Sequence, residues 1–144
     1  MEILEQTIIS LKPRQRGFHI ITQDILKGLA KLKECESGIL HLQLLHTSAS
    51  LTINESADPD VRSDLFAFLS KAVPDGAPYF NHVLEGDDDM TAHILSSLLG
   101  VNLSLQVRSG RLILGTWQAI YLGEHRNYGG ERQIAALLMG QRKA

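Results

Sequence analysis

Apolar and polar residues alternate along several segments of the chain, and this period of two predicts β-strands. A first strand covers residues 2–11, where β-branched Thr7, Ile8 and Ile9 precede the break at Pro13. In residues 39–45 the odd positions share one face and the even positions, which are all leucine, share the other. Further strands are predicted for residues 50–53, 101–107, 112–117, 119–122 and 134–139.

Three other segments repeat their apolar residues at helical spacing, and these segments are residues 22–32, 58–72 and 88–100. Thr22 is the expected cap of the first helix. In the second helix, Asp58 followed by Pro59 is the pattern of an N-cap with proline at the first helical position. Asp88 or Asp89 is expected to cap the third helix. Residues 14–17 predict a basic turn.

Helices and strands occupy separate parts of the chain and do not alternate, which indicates an α+β fold. We expect a single compact domain over residues 1–144, with an N-terminal strand, a helix and further strands, two central helices, and C-terminal antiparallel strands. A chain of 144 residues is long enough to bury a hydrophobic core without disulfides.

The net charge and composition of the chain argue against some kinds of binding partner. The formal net charge of −2 gives no positive field that would attract nucleic acid or an anionic membrane. No apolar run approaches the ~20 residues that a membrane-spanning helix needs, and the acidic N-terminus lacks the basic region of a signal peptide. Cys35 is the only cysteine. We therefore expect a cytoplasmic protein with a small-molecule partner.

Histidines and carboxylates supply the candidate chemistry, because imidazole is both a common metal ligand and a general base near neutral pH. His46 begins the segment His-Thr-Ser-Ala-Ser at a strand end, which fits either a site or a half-buried strand histidine. His82 and His93 flank an acidic run at residues 85–89. Asp89 lies four residues before His93, a spacing at which helix side chains meet. This pair is the strongest metal signal, although a solvated helix cap has the same composition.

The second half of the chain adds an aromatic and a glycine-rich segment. Gly115, Thr116, Trp117 and Gln118 interrupt an apolar strand, which fits either a bulge with a core tryptophan or a ring platform for a flat ligand. Arg132 follows Gly129 and Gly130 and could meet an anion together with their backbone amides.

Three long motifs together resemble the YjbQ family, also called the secondary thiamine-phosphate synthase family. They are HTSASLTINESADPDVR from residue 46, EGDDDMTAHILSSLLG from residue 85 and GRLILGTWQAIYLGEHRNYGGER from residue 110. The segment Arg16-Gly17-Phe18-His19 also fits, so the resemblance covers nearly the whole chain. The bacterial branch carries Gly-Glu-His-Arg after the tryptophan strand. Other branches differ at His125, so the resemblance supports a role for Glu124 and assigns none to His125.

The resemblance implies a homotrimer with weak or secondary thiamine-phosphate synthase activity, which joins a pyrimidine methyl pyrophosphate to a thiazole phosphate and releases pyrophosphate. A divalent ion, Mg²⁺ or Zn²⁺, would neutralise the leaving group. The candidate catalytic residues are His46, Glu55, His93 and Glu124. The candidates for binding the phosphorylated metabolite are Thr47, Ser48, Asn54, Trp117, Gln118 and Arg132. The candidate metal ligands are His46, His82, Asp89 and His93.

Two other functions stay open from the residues alone. One is a metal-dependent hydrolase of a small phosphorylated metabolite, and the other is a non-enzymatic metabolite-binding trimer. In each case we expect His46, His82 and His93 to converge in one cleft with Glu55 or an acid of residues 87–89, because each lies at the end of a segment, where function concentrates.

Overall fold

The computed structural model describes all 144 residues, and its backbone forms eight strands and three helices. The strands are β1 (Glu2–Leu11), β2 (Gly17–Ile20), β3 (Cys35–Leu44), β4 (Ala49–Glu55), β5 (Asn102–Arg108), β6 (Arg111–Leu112), β7 (Gln118–Glu124) and β8 (Arg132–Arg142). The helices are α1 (Thr22–Lys27), α2 (Pro59–Ala72) and α3 (Asp89–Leu99), and a short 3-10 turn covers Leu32–Glu34.

The strands build two antiparallel sheets that face each other. The larger sheet has the strand order β1-β8-β3-β5-β6, and the smaller has the order β2-β7-β4. Side chains from both sheets and from α1 form one cluster of 20 buried apolar residues between them. The alternation in β3 explains its place in this core, because Leu40, Leu42 and Leu44 are buried while Ile39 and Gln43 point outward. The predicted α+β class is confirmed.

Helices α2 and α3 cover the other side of the three-stranded sheet. Phe18, Ala119 and Tyr121 of that sheet pack against Leu65 of α2 and Leu99 of α3. Strand β7 is therefore covered on both faces, and every residue after Gln118 in it is buried. Polar side chains at the end of β7 are consequently shielded from solvent and need partners within the protein.

The outer face of the five-stranded sheet carries apolar side chains that no helix covers. Leu4, Ile8, Ile39 and Met139 are each more than half exposed. Leu4 and Ile39 are both in register with Met139 on the strand between them, so these three side chains form one row across the sheet.

None of the three helices has the length and apolar character that a membrane-spanning helix requires.

Helix α2 begins where the sequence predicts. Asp58 is its N-cap, and the Asp58 side chain accepts a hydrogen bond from the Asp60 backbone N–H at 2.9 Å. The third helix lies where it was predicted, and its N-cap is Asp88, one of the two predicted residues. Asp88 occupies the cap position without a side-chain cap bond, because Arg126 and the backbone of Asn127 engage its carboxylate instead.

The first helix is shorter than predicted and ends at Lys27. Gly28 lies against β1, where an added Cβ would come within 2.6 Å of Ile9. Beyond it, the backbone N–H groups of residues 30 and 31 donate to the Glu5 carboxylate, which draws the chain away from the helix axis. Thr22 is not the cap either, since its hydroxyl accepts the Ile120 N–H.

Two strand predictions also need correction. Strand β2 was missed, because its four residues follow the basic turn too closely to show a period of their own. Strand β6 ends at Leu112, and residues 113–117 leave the sheet. The Gln118 side chain accepts the Gly115 N–H at 2.7 Å, which folds this segment into a local turn instead of a strand.

Candidate metal centre

Helix α3 and the loop before it bring two imidazoles onto one carboxylate. His82 Nε2 lies 2.6 Å from Asp89 Oδ2, and His93 Nε2 lies 3.0 Å from the same oxygen. The three ligand atoms lie within 4.8 Å of one another. Helical geometry alone explains the Asp89–His93 contact, since the two residues are four apart on α3. His82 joins them from the loop.

The other nitrogen of His93 fixes which atom faces this cluster. Its Nδ1–H donates to the Thr47 backbone carbonyl at 2.8 Å. A bond of this kind to a carbonyl sets the tautomer and the ring plane of many metal-bound histidines, with Nε2 left for the metal. Thr47 therefore contributes through its backbone, while its side chain is exposed.

Asp89 is buried and strongly held, with 1% of its surface exposed. Its second oxygen, Oδ1, pairs with Arg126 Nη1 at 2.8 Å. Burial by itself would raise the pKa of Asp89. The hydrogen bond from His82 and the charges of Arg126 and His93 outweigh that effect, so the pKa lies below its ordinary value. The carboxylate is consequently ionised near neutral pH, as a metal ligand must be.

Arg126 was not among the predicted residues, and it connects the cluster to the loop after β7. Its Nε donates to Asp88 Oδ2 at 3.1 Å and its Nη2 donates to the Glu85 carbonyl at 2.8 Å. Burial opposes the charged form, but the hydrogen bond to Asp88 and the charges of Asp88, Asp89 and Glu85 outweigh it and hold the pKa of this guanidinium above its usual value. Its position next to Glu124 and His125 in the sequence was the only available signal.

His46 does not belong to this cluster, so the expectation that three imidazoles share one cleft is wrong for that residue. Its Nε2 accepts the Gln133 backbone N–H at 2.8 Å, which ties the ring to strand β8. Partial burial, with the charge of Arg132, lowers the pKa of this imidazole. His46 lies next to Thr47 in the chain, yet the nitrogen that would bind a metal is already bonded to backbone.

Glu124 and Arg132 form a buried pair at the end of β7. Arg132 donates from Nε and Nη2 to the two carboxylate oxygens at 2.8 and 2.6 Å. Its Nη2 also donates to the Ser48 carbonyl at 3.2 Å. Glu124 and Arg132 are 1% and 4% exposed, so each is the other's principal partner and neither reaches solvent.

A second buried polar pair lies beside the first. Ser50 Oγ and His125 Nε2 are 2.8 Å apart, and both residues are buried. Burial, with the charges of Arg16 and Arg132, lowers the pKa of His125 to about 4, so the imidazole is neutral at physiological pH. Gly123 makes this contact possible, because an added Cβ there would lie 2.4 Å from the Ser50 hydroxyl. Sequence reasoning missed the pair.

The remaining predicted residues lie at the opposite end of the three-stranded sheet. Glu55 pairs with Gln118 in the register of β4 and β7, whereas Ala49 pairs with Glu124. Six residue steps of ~3.3 Å separate the two ends by roughly 20 Å. Asn54, Glu55, Trp117 and Gln118 therefore do not meet the His82–Asp89–His93 cluster within one chain. Trp117 is 62% exposed there.

Cys35 belongs neither to the His82–Asp89–His93 cluster nor to the buried polar pairs. It is fully buried in the core, and burial together with the charge of Glu36 raises the pKa of its thiol. A thiol that is hidden and protonated cannot act as a nucleophile.

The amino-acid sequence of the chain is similar to those of known proteins. The family model described as "UPF0047 protein YjbQ-like" matches residues 7–141. The chain belongs to the YjbQ family. It is 57% identical to the UPF0047 protein YjbQ of Salmonella typhimurium over 136 residues, which cover 94% of this chain and 98% of the relative. It is 51% identical to the YjbQ of Escherichia coli O157:H7 over the same coverage.

Solved structures of YjbQ-like proteins share the fold. A Clostridium acetobutylicum protein described as an uncharacterized conserved protein of the yjbq/upf0047 family superposes with a TM-score of 0.78 at 34% identity. The match covers 90% of this chain and 97% of that protein. A YbjQ-like protein of unknown function from Sulfolobus solfataricus gives a TM-score of 0.84 over 98% of this chain and 100% of its own. At 22% identity, that likeness shows the fold alone.

Proposed function

We propose that this YjbQ-family chain is a metal-dependent enzyme that acts on a small phosphorylated metabolite. In this proposal His82, Asp89 and His93 hold the metal. The observation that carries it is the orientation of His93, whose Nδ1–H donates to the Thr47 carbonyl while its Nε2 meets Asp89 and lies near the His82 ring. A merely solvated helix cap would not need a buried carboxylate with one oxygen shared by two imidazoles.

The donor atoms favour zinc over magnesium. Two imidazole nitrogens and one carboxylate oxygen make the three-ligand set of many catalytic zinc sites, which leave a fourth position open. Magnesium instead prefers oxygen ligands in octahedral geometry. The two imidazole side chains are 43% and 30% exposed, whereas that of Asp89 is 2% exposed. Any open position therefore faces solvent, where a substrate can reach it.

The chain's own residues would prepare such a site in a defined way. Arg126 holds Asp89 through Oδ1 and leaves Oδ2 for the metal. Thr47 orients His93. A bound divalent ion supplies Lewis-acid stabilisation of a phosphate oxygen or a water of lowered pKa. Both imidazoles present Nε2, so metal binding must displace any proton on those atoms and will weaken as the pH falls.

The family resemblance makes thiamine-phosphate synthesis the first reaction to test. Release of pyrophosphate needs charge neutralisation, which a metal at this cluster would provide. The second candidate is hydrolysis of a single phosphorylated substrate, and the nitrogen-rich donor set favours it, because zinc commonly activates water. A transferase requires both substrates, whereas a hydrolase turns over one.

We propose that the chain assembles as a homotrimer and acts in the cytoplasm. The uncovered apolar row that includes Leu4, Ile39 and Met139 supports assembly, because large apolar areas on a sheet face are usually covered by a partner. The two ends of β7 lie roughly 20 Å apart, with the His82–Asp89–His93 cluster near one end and Trp117 beside the other, and this separation supports assembly too. In a trimer, a neighbouring copy could bring its Trp117 to the cluster, from which Trp117 of the same chain is distant.

The test is to measure zinc affinity by competition with a chromophoric chelator for the wild type, His93→Ala and a control, His41→Ala. His41 is a surface histidine bonded only to Ser104. We expect His93→Ala to lose zinc affinity by at least about 100-fold with little change in melting temperature, and the control to keep both. Unchanged zinc affinity with a large drop in melting temperature would assign His93 to structure. Turnover with one or both substrates then separates the two reactions, and no turnover of either leaves a binding protein.

A further inference from the structure

A second cavity lies far from the metal cluster, between α1 and the short strand β6. Its volume is about 530 Å³, within the ~300–1,000 Å³ typical of small-molecule sites. Most of its wall is apolar, and the leucines that line it are Leu26, Leu29, Leu32, Leu112 and Leu114. Leu29 and Leu32 belong to the buried core, so the cavity is an opening in the core itself.

Cations surround the mouth of this cavity. Lys33 and Arg111 line it, and Lys143 Nζ lies 3.0 Å from where a Cβ on Gly110 would be. None of the three cations forms an ion pair with a carboxylate of the chain. The two acids that follow Lys33 in the sequence are already engaged, since Glu34 pairs with Arg142 and Glu36 accepts a hydrogen bond from the Ser109 hydroxyl.

The β5–β6 hairpin adds a repulsion that an anion would relieve. Arg108 and Arg111 are directly opposite each other in the register of the two strands. Like charges in this position destabilise a strand pair. Neither arginine has a carboxylate partner. Lys33, Arg111 and Lys143 therefore lie unpaired around an apolar cavity, and Arg108 on the neighbouring strand adds a repulsion to Arg111, in a chain whose formal net charge is −2.

We propose that this cavity binds a medium-chain alkyl carboxylate, with the alkyl tail among the leucines and the carboxylate between Lys33 and Arg111. The apolar wall requires an apolar body, and the unpaired cations at the mouth require a negative head. The site is separate from the metal cluster, because the ten residues of β3 lie between Lys33 and the loop that carries Thr47. At ~3.3 Å per residue this is about 30 Å. The proposal therefore does not depend on the proposed function.

Calorimetric titration of the full chain with a series of free carboxylates tests this, each below its micelle concentration. We expect saturable binding that tightens about fourfold per added methylene from hexanoate to decanoate, because each buried CH₂ contributes ~0.8 kcal/mol. Decyltrimethylammonium has the same tail with the opposite charge and should not bind. Binding of both ions alike, or an affinity independent of chain length, would overturn the proposal.

Two variants locate the site. Leu112→Trp places a larger side chain into the half-buried wall and should reduce decanoate affinity at least tenfold. Lys33→Glu with Arg111→Glu changes only exposed positions, so it keeps the test valid if the first variant does not fold. It should also reduce affinity at least tenfold, while Lys71→Glu on α2 should leave it unchanged. Undiminished binding in the charge variant overturns the proposal. The proposal is also overturned if the chain associates with anionic vesicles but does not bind free decanoate. The same holds if a second copy closes the cavity and free decanoate does not bind.

Discussion

Replacing Arg132 by methionine should show that the buried Glu124–Arg132 pair holds the end of β7 together. The substitution keeps most of the side-chain volume and removes the guanidinium. It breaks two charged hydrogen bonds to Glu124, at 2.8 and 2.6 Å, and one to the Ser48 carbonyl. The Glu124 carboxylate then stays buried with only the Arg126 backbone N–H as a donor, at 3.1 Å.

The expected loss follows from this burial. Removing one partner of a buried ion pair costs roughly 3–5 kcal/mol, because an uncompensated charge remains. For a chain near 150 residues, each kcal/mol lowers the melting temperature by roughly 2–4 °C, so we expect a drop of roughly 6–20 °C. The exposed pair between Arg142 and Glu34 provides the matched control. Arg142→Met should cost about 1 kcal/mol or less.

Urea unfolding at one fixed protein concentration measures both variants, since assembly would otherwise change the apparent stability. The double variant Arg132→Met with Glu124→Leu removes both charges and should recover much of the loss. A cost below about 1 kcal/mol for Arg132→Met would refute the reasoning. A double variant no more stable than the single one would do the same, and would return Glu124 and Arg132 to the candidates for direct chemistry.

Two further predictions concern pH and assembly. Burial lowers the pKa of His125 from 6.5 to about 4, so between these pH values the unfolded chain binds a proton that the folded chain excludes. The contribution of His125 to stability should therefore be constant above pH 6.5 and fall by about 3 kcal/mol on acidification to pH 4. Urea unfolding of His125→Gln should lack this part of the pH dependence, and an unchanged pH dependence would contradict the prediction. Light scattering should report three times the chain mass of 15.9 kDa and a smaller mass for Ile39→Glu, whereas a wild-type monomer at micromolar concentration would sink the assembly proposal.

Local signals in the sequence were sufficient for much of the fold. Asp58 and Pro59 begin α2 as predicted, and the leucines of β3 face the core as their period of two requires. The Asp89–His93 contact was also predictable from the sequence, because helical spacing alone brings residues four apart together. These features depend only on neighbours along the chain, so a single sequence determines them.

Only the tertiary structure decided which distant residues meet. The register of β4 on β7 places Ser50 beside Gly123, within reach of His125. It places Glu55 at the opposite end of β4, roughly 20 Å along the strand from Ala49. His46 was a candidate metal ligand in the sequence as His93 was, but the backbone N–H of Gln133 in β8 donates to its Nε2. Strand pairing joins residues dozens of positions apart, and their local sequence carries no record of the partner. The candidate site residues could therefore be identified from the sequence. Their division into the His82–Asp89–His93 cluster, a buried ion pair and a remote aromatic end could not.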